Sequence, residues 1–228
     1  MTKPSLHPPA SADTRELILN VAGPIFAENG FHATTVRQIT RKAGVNLAAV
    51  NYYFRDKQEL YVSVLKRAYQ AAAHTTQADY AGPPRQQLRT FIHTFLTYLL
   101  DPKRPEWQGS LIVREMGQPT QALDRLVAES ISPVRLRIVR IVRELLGPGV
   151  SEKQVNLSCA SIIGQCLHYV HCREMISRLL PDGDRLCRDV ETLADYIFNF
   201  SLAGLKGMKS CEKPATPQRH VSRSKISL

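Results

Sequence analysis

The residues best equipped to do chemistry lie between Asn46 and Lys57, in the run NLAAVNYYFRDK. Asn46 and Asn51 carry amides, which can pair with the donor and acceptor on an adenine edge, and Ala48 or Ala49 can touch a thymine methyl group. With Leu47, these leading residues are small or apolar and permit close approach to a groove. Tyr52, Tyr53, Arg55 and Lys57 follow, and their hydroxyl, guanidinium and ammonium groups suit phosphate oxygens. Upstream, Thr34, Thr35 and Arg37 add donors for phosphates or groove edges. The same run also supports a plainer role: Val50, Tyr53 and Phe54 recur at helical spacing and would serve as a core face.

A second cluster could hold a soft metal. Cys166, His168, His171 and Cys172 fall within two helical turns, His168 and Cys172 at i, i+4, with Cys159 and Cys187 as further donors. Against it, no CxxC pair occurs, and cysteine is among the commonest core residues. No phosphate-binding loop, nucleophile elbow, HExxH or dinucleotide fingerprint is present, so no catalytic residue, enzyme activity, resident metal or cofactor is expected.

The elements that position these groups read as helices throughout. Asp13 and Glu16 form a capping box for a first helix bearing Leu17, Ile18, Val21, Ile25 and Phe26; Pro24 predicts a kink or late restart, and Gly30 closes it. Thr35 and Gln38 box a second helix that Gly44 stops. Asn46 caps a short third helix through Tyr53, and Asp56 and Glu59 box a long fourth. Two short helices joined by a glycine-containing turn form a helix-turn-helix, whose second helix enters the major groove with its N-terminal residues against base edges.

Further on, a helix with Leu88, Ile92, Phe95 and Leu99 ends near Asp101. Pro119 opens another, bent by Pro133, that runs to Gly147. Ser151 and Gln154 box a helix carrying Val155 to Val170, and Pro181 and Gly183 precede a last helix from Leu193 to Gly204. The expected organisation is all-α: an arm over residues 1–12, a three-helix helix-turn-helix domain over 13–60, a helical domain over 61–208 reached through the long fourth helix, and a basic tail over 209–228. Arm and tail are expected to be disordered.

Composition bounds the function. The 228 residues carry a formal net charge of +10 and 43% hydrophobic residues, which supports a core and favours polyanionic partners. The charge alone does not locate that partner: over residues 1–60, seven basic side chains face five acidic ones, a net of +2. The five cysteines are odd in number and irregularly spaced, which disfavours a disulfide framework. No stretch has a membrane span's apolar length and no signal sequence opens the chain, so a cytoplasmic, nucleoid-associated protein is expected.

The run from Arg15 through Leu65 resembles the DNA-binding domain of the TetR family. The matching segments are FAENGF (26–31), ATTVRQI (33–39), AGV (43–45), Tyr53-Phe54 and DKQELY (56–61). The resemblance implies phosphate contacts from Thr35, Tyr53 and Lys57, and base contacts from Arg37, Ala48, Ala49 and Asn51. The family often has a lysine and an aromatic residue where this chain has Leu47 and Asn51, so common members give no guide to its operator. The segment 112–134, IVREMGQPTQALDRLVAESISPV, together with 46–54, is similar to the CecR-like subgroup, whose members control transport and drug-tolerance genes.

The resemblance further implies a homodimer built from two late helices. Cys159, Ile162, Ile163, Cys166, Tyr196, Ile197 and Phe200 are the interface candidates, unless these stripes are ordinary core. It also implies a small-molecule effector, with Phe91, Phe95, Trp107, Arg114, Met116, His168 and Tyr169 as candidate lining. Arg114 would anchor an acidic ligand or pair with Glu115. The expected function is a repressor that binds a palindromic operator on double-stranded DNA and is released by its effector. The alternatives are a metal- or thiol-sensing regulator using the Cys166/His168/His171/Cys172 cluster, or a non-specific architectural DNA-binding protein.

Overall fold

The computed structural model describes residues 11–69 and 80–211. Its elements are α1 (Ser11–Ala33), α2 (Val36–Ala43), α3 (Leu47–Phe54), α4 (Lys57–Ala68), α5 (Pro84–Leu99), α6 (Glu106–Gly117), α7 (Ala122–Leu126), a π-helical turn (Val127–Ile131), α8 (Ser132–Leu146), α9 (Glu152–His171), α10 (Arg173–Leu179), α11 (Gly183–Arg188) and α12 (Val190–Cys211). No strand occurs among the described residues. The expected arm and tail fall largely outside them; α1 starts inside the first, at Ser11, and α12 runs into the second, to Cys211.

Local chemistry sets the helix ends around the turn. Thr35 Oγ1 accepts the Gln38 N–H at 3.3 Å while Gln38 Oε1 accepts the Thr35 N–H at 2.8 Å. Asn46 Oδ1 accepts the Ala49 N–H at 2.8 Å, and Asp56 Oδ1 accepts the Glu59 N–H at 2.8 Å. Each such cap contributes about 1 kcal/mol by satisfying a donor with no intrahelical partner. Gly44 ends α2 at φ 67°, in the left-handed region that a side chain disfavours.

In α1 the break falls at Gly30 (φ 78°, ψ 174°), and the backbone around Pro24 stays helical. Packing outweighs the lost hydrogen bond there. Ala22, Ile25 and Phe26 are buried, and the Trp107 ring lies so close to Gly23 that a Cβ there would sit 2.6 Å from it. The Asp13–Glu16 box is replaced by an earlier start, and Glu16 instead pairs with Arg67 of α4.

Two cores divide the molecule differently from the boundary expected at residue 60. Ile18, Phe26, Ile39, Val50, Phe54, Leu60 and Leu65 form the first, and α6 and α7 join it through Leu111, Ile112 and Leu126. The second gathers α5, α8, α9 and α12 around Phe91, Leu96, Ile141, Val155 and Ile197. Tyr69, just after α4, packs against both.

A buried polar clamp fastens α6 to α4. Glu115 is fully buried; one carboxylate oxygen accepts the Tyr61 hydroxyl at 2.7 Å, the other the Thr120 N–H and hydroxyl at 2.9 Å each. Burial and the neighbouring carboxylate push the Tyr61 hydroxyl far above its usual pKa. Arg114 does not pair with Glu115. Its guanidinium donates to the carbonyls of Ala27 (3.1 Å) and Glu28 (3.0 Å), occupying free acceptors just before the break at Gly30.

The bend expected at Pro133 is a π turn at Val127–Ile131, closed by the Ser132 N–H on the Val127 carbonyl. A proline cannot donate to the preceding turn and its ring crowds the carbonyl four residues back, here that of Glu129; a wider turn relieves both. Glu129 is tied to α4 through Lys66, and Arg125 bridges Glu129 and Glu59.

Candidate nucleic-acid interface

The third helix presents one face to its own core and one outward. Val50 and Phe54 are buried, Ala49 and Tyr53 half-buried against the first core. Leu47, Ala48, Asn51 and Tyr52 are exposed; Leu47 keeps 53% of its surface and Tyr52 80%. The Asn51 amide has no hydrogen-bond partner among the described residues. Arg37, on the first turn of α2, is exposed.

Several sequence candidates are held by the fold itself. Thr34 is completely buried and its hydroxyl donates to the Gly30 carbonyl at 2.7 Å, so it faces no groove. Thr35 is exposed but spends its hydroxyl on the α2 cap, and the Asn46 oxygen caps α3. Lys57 is half-exposed and lies across the end of α1: Nζ donates to the Thr34 carbonyl at 2.7 Å and lies 4.4 Å from the centre of the Phe31 ring. Burial lowers the pKa of that ammonium. Ala49 is half-buried, packed against the first core. Arg41 and Lys42, exposed in the last turn of α2, add two further cations to this unit. Arg55 ends α3 at φ 69°, ψ −53°, a strained conformation for a residue with a side chain.

A cavity of about 390 Å³ opens in the second unit, lined by Tyr69, Phe95, Ile131, Val134, Ile138 and Cys159 among its apolar walls. Arg135 and Asn156 supply its polar edge, the guanidinium donating to Asn156 Oδ1 at 2.8 Å. Burial raises the Tyr69 hydroxyl to about 12 and the Cys159 thiol to about 11, so both remain protonated at neutral pH.

Of the seven candidate lining residues, Phe95 alone reaches this cavity. Phe91 is buried in the core, Trp107 packs on Gly23, Arg114 caps α1, Met116 and His168 are exposed, and Tyr169 is half-buried with its edge to His168.

The four metal-cluster candidates do not converge either. Cys166 is buried in the second core with its thiol raised to about 12, while His168, two residues on, points to the opposite, exposed side. No group of three such donors among the described residues could hold a metal ion.

Among the interface candidates, Cys159, Ile162, Cys166 and Ile197 belong to the chain's own core, and Ile163 lines the cavity. Tyr196 and Phe200 are 60% and 62% exposed, their rings stacked at 6.2 Å. The outward face of α9 instead bears Leu157, Ala160, Ser161 and Gly164, and that of α12 continues through Ala203 and Gly207.

A helix-turn-helix on a helical body with an apolar cavity defines a DNA-binding regulator, and the family comparisons agree. Residues 18–64 match the bacterial regulatory proteins of the tetR family, and residues 84–205 match the C-terminal domain of the HTH-type transcriptional dual regulator CecR. The chain belongs to the TetR family and carries a CecR-type C-terminal domain. It is 28% identical over 163 residues to the dual regulator CecR of Shigella flexneri, covering 66% of this chain and 73% of that protein. With the repressor NicS of Pseudomonas putida it shares 25% identity over 202 residues, 86% of this chain and 92% of the relative. The fold is that of a tetR family regulator from Shewanella sp. PV-4 (TM-score 0.62, 17% identity, covering 84% of this chain and 97% of that one). It is likewise that of Bacillus subtilis FadR in complex with stearoyl-CoA (TM-score 0.60, 18% identity, 83% and 98% covered). No helix among the described residues is long and apolar enough to cross a membrane.

Proposed function

We propose that this regulator acts in the cytoplasm, on the nucleoid, as a homodimeric repressor of a palindromic operator, released when a small apolar effector fills the cavity beside Tyr69. Transport or drug-tolerance genes are the expected targets. The observation that carries this reading is the position of Tyr69. It lines the cavity and follows directly on α4, whose other end is joined to α3. A ligand that prefers one position of Tyr69 therefore biases where α4 places the reading face, and release requires only that it favour the non-binding arrangement.

Cavity chemistry supports an apolar effector with one hydrogen-bonding or anionic end near Arg135. The volume suits a drug-sized molecule, and FadR and SmeT, two proteins of similar fold, are seen with stearoyl-CoA and triclosan respectively. Dimerisation through the outward faces of α9 and α12 is supported by exposed Leu157, Tyr196 and Phe200 beside small residues that allow close approach.

The test is release of a selected operator duplex, followed by fluorescence anisotropy, across a panel of apolar acids, phenols and amines. A compound that releases wild-type protein should need about tenfold more for Arg135→Ala, the loss of one charge-assisted hydrogen bond. Release unaffected by Arg135→Ala and Phe95→Ala alike would place the effector elsewhere.

A further inference from the structure

We infer that α3 reads each half-site chiefly through thymine methyl groups, contacted by Leu47 and Ala48, with a single adenine read by Asn51. This rests on the reading that α3 enters the major groove. The exposed positions of the helix, Leu47, Ala48, Asn51 and Tyr52, fall at helical spacing on one stripe, and every other position is at least half-buried. Asn46 lies ahead of the stripe, and its oxygen already accepts the Ala49 N–H, which holds the amide in the helix cap. Asn51 alone on the helix keeps a whole amide to offer.

What the stripe lacks is as telling. No basic side chain stands on α3; Arg55 comes only after its end, on a distorted backbone. The commonest specific contact, a forked arginine or lysine on guanine, is therefore closed to this helix. Two aliphatic side chains at its N-terminal turn, where base contacts are made, have one apolar partner in the major groove, the thymine C5-methyl. Leu47, with half its surface in water, loses that exposure on docking.

Uracil removes this methyl group and keeps the pairing, so it isolates the claim. Full-length protein is used to select from two random duplex pools, one with thymine and one with uracil. The selected thymine duplex is then remade with each thymine singly replaced by uracil. The expected result is a motif with thymines at two positions under the first turn of α3 and one adenine nearby. In the uracil pool the preference at those two positions vanishes while the adenine persists. Each single replacement there weakens binding about fourfold, the worth of one buried methyl-sized group. Leu47→Ala, a change on the exposed surface, should abolish the uracil effect at one of the two positions.

A guanine-centred motif under α3, or equal binding by thymine and uracil duplexes, would overturn the inference while leaving operator recognition intact. Absence of any motif in either pool would instead remove the groove-binding role of α3, and the methyl reading with it.

Discussion

Replacing Glu115 by alanine should loosen the attachment of α6 to the DNA-binding unit. The substitution strands the Tyr61 hydroxyl, which is buried with its residue only 1% exposed, and leaves the half-buried Thr120 N–H and hydroxyl without their 2.9 Å acceptor. An unsatisfied buried donor costs about 1–3 kcal/mol, and the half-buried pair, partly reached by water, costs less. The expected total is about 3–4 kcal/mol, which for a chain of this size lowers Tm by roughly 6–15 °C. Glu115→Gln keeps the acceptor for Thr120, and its amide can donate to the Tyr61 oxygen while the Tyr61 proton loses its acceptor, so about 1–2 kcal/mol should be lost. Urea unfolding followed by circular dichroism at one fixed protomer concentration measures both. Alanine within 1 kcal/mol of wild type, or glutamine as damaging as alanine, would refute the clamp.

Lys57→Gln should reduce stability by about 1 kcal/mol yet leave the slope of log affinity against log salt unchanged, because the ammonium is committed to Thr34 and Phe31. A slope reduced by nearly one unit in a salt titration would make Lys57 a phosphate contact after all. Gly44→Ala should cost about 1 kcal/mol or more from its φ of 67° alone, since no atom lies within 4 Å of the added Cβ; an unchanged urea midpoint would dispose of that argument. Tyr69 and Tyr80 are raised by burial to about 12, so each adds stability in full below pH 10, and it drains away as pH rises toward 12. Urea midpoints between pH 9 and 12 should fall accordingly, and less steeply for Tyr69→Phe; parallel curves would contradict this.

What sequence reasoning read well was local. The caps at Thr35, Asn46, Asp56 and Ser151 each depend on a side chain and a backbone group three residues away, so spacing alone reveals them. Thr34 and Thr35 show where that ends: adjacent, chemically identical, one is sealed under Gly30 and the other caps a helix at the surface. The exposed stripe of α3 was visible as residue types, but which of Ala48 and Ala49 faces outward depends on where α3 sits against Ile39 and Leu60. Trp107 and Arg114 also pack against the chain itself, because aromatic and cationic side chains serve pockets and packing alike, and Arg114 still edges an open cleft with Arg104 and His171. Their partners, Gly23 and the end of α1, lie more than eighty residues away. The stripe containing Ile162 and Ile197 was open to a partner or to the chain's own core, because periodicity marks a buried face without saying whose core buries it.

The outward face of α3 as a reader of DNA sequence is open to direct measurement. Purified protein would be incubated with sheared genomic DNA of its source at near-physiological salt, and the bound fragments sequenced, alongside an Ala48→Glu variant that places a carboxylate on that face. The predicted result is a few sharp peaks sharing an inverted repeat, its halves centred one helical turn (about 34–36 Å) or a multiple apart, all lost in the variant. A featureless spread of fragments, captured equally by the variant, would contradict it.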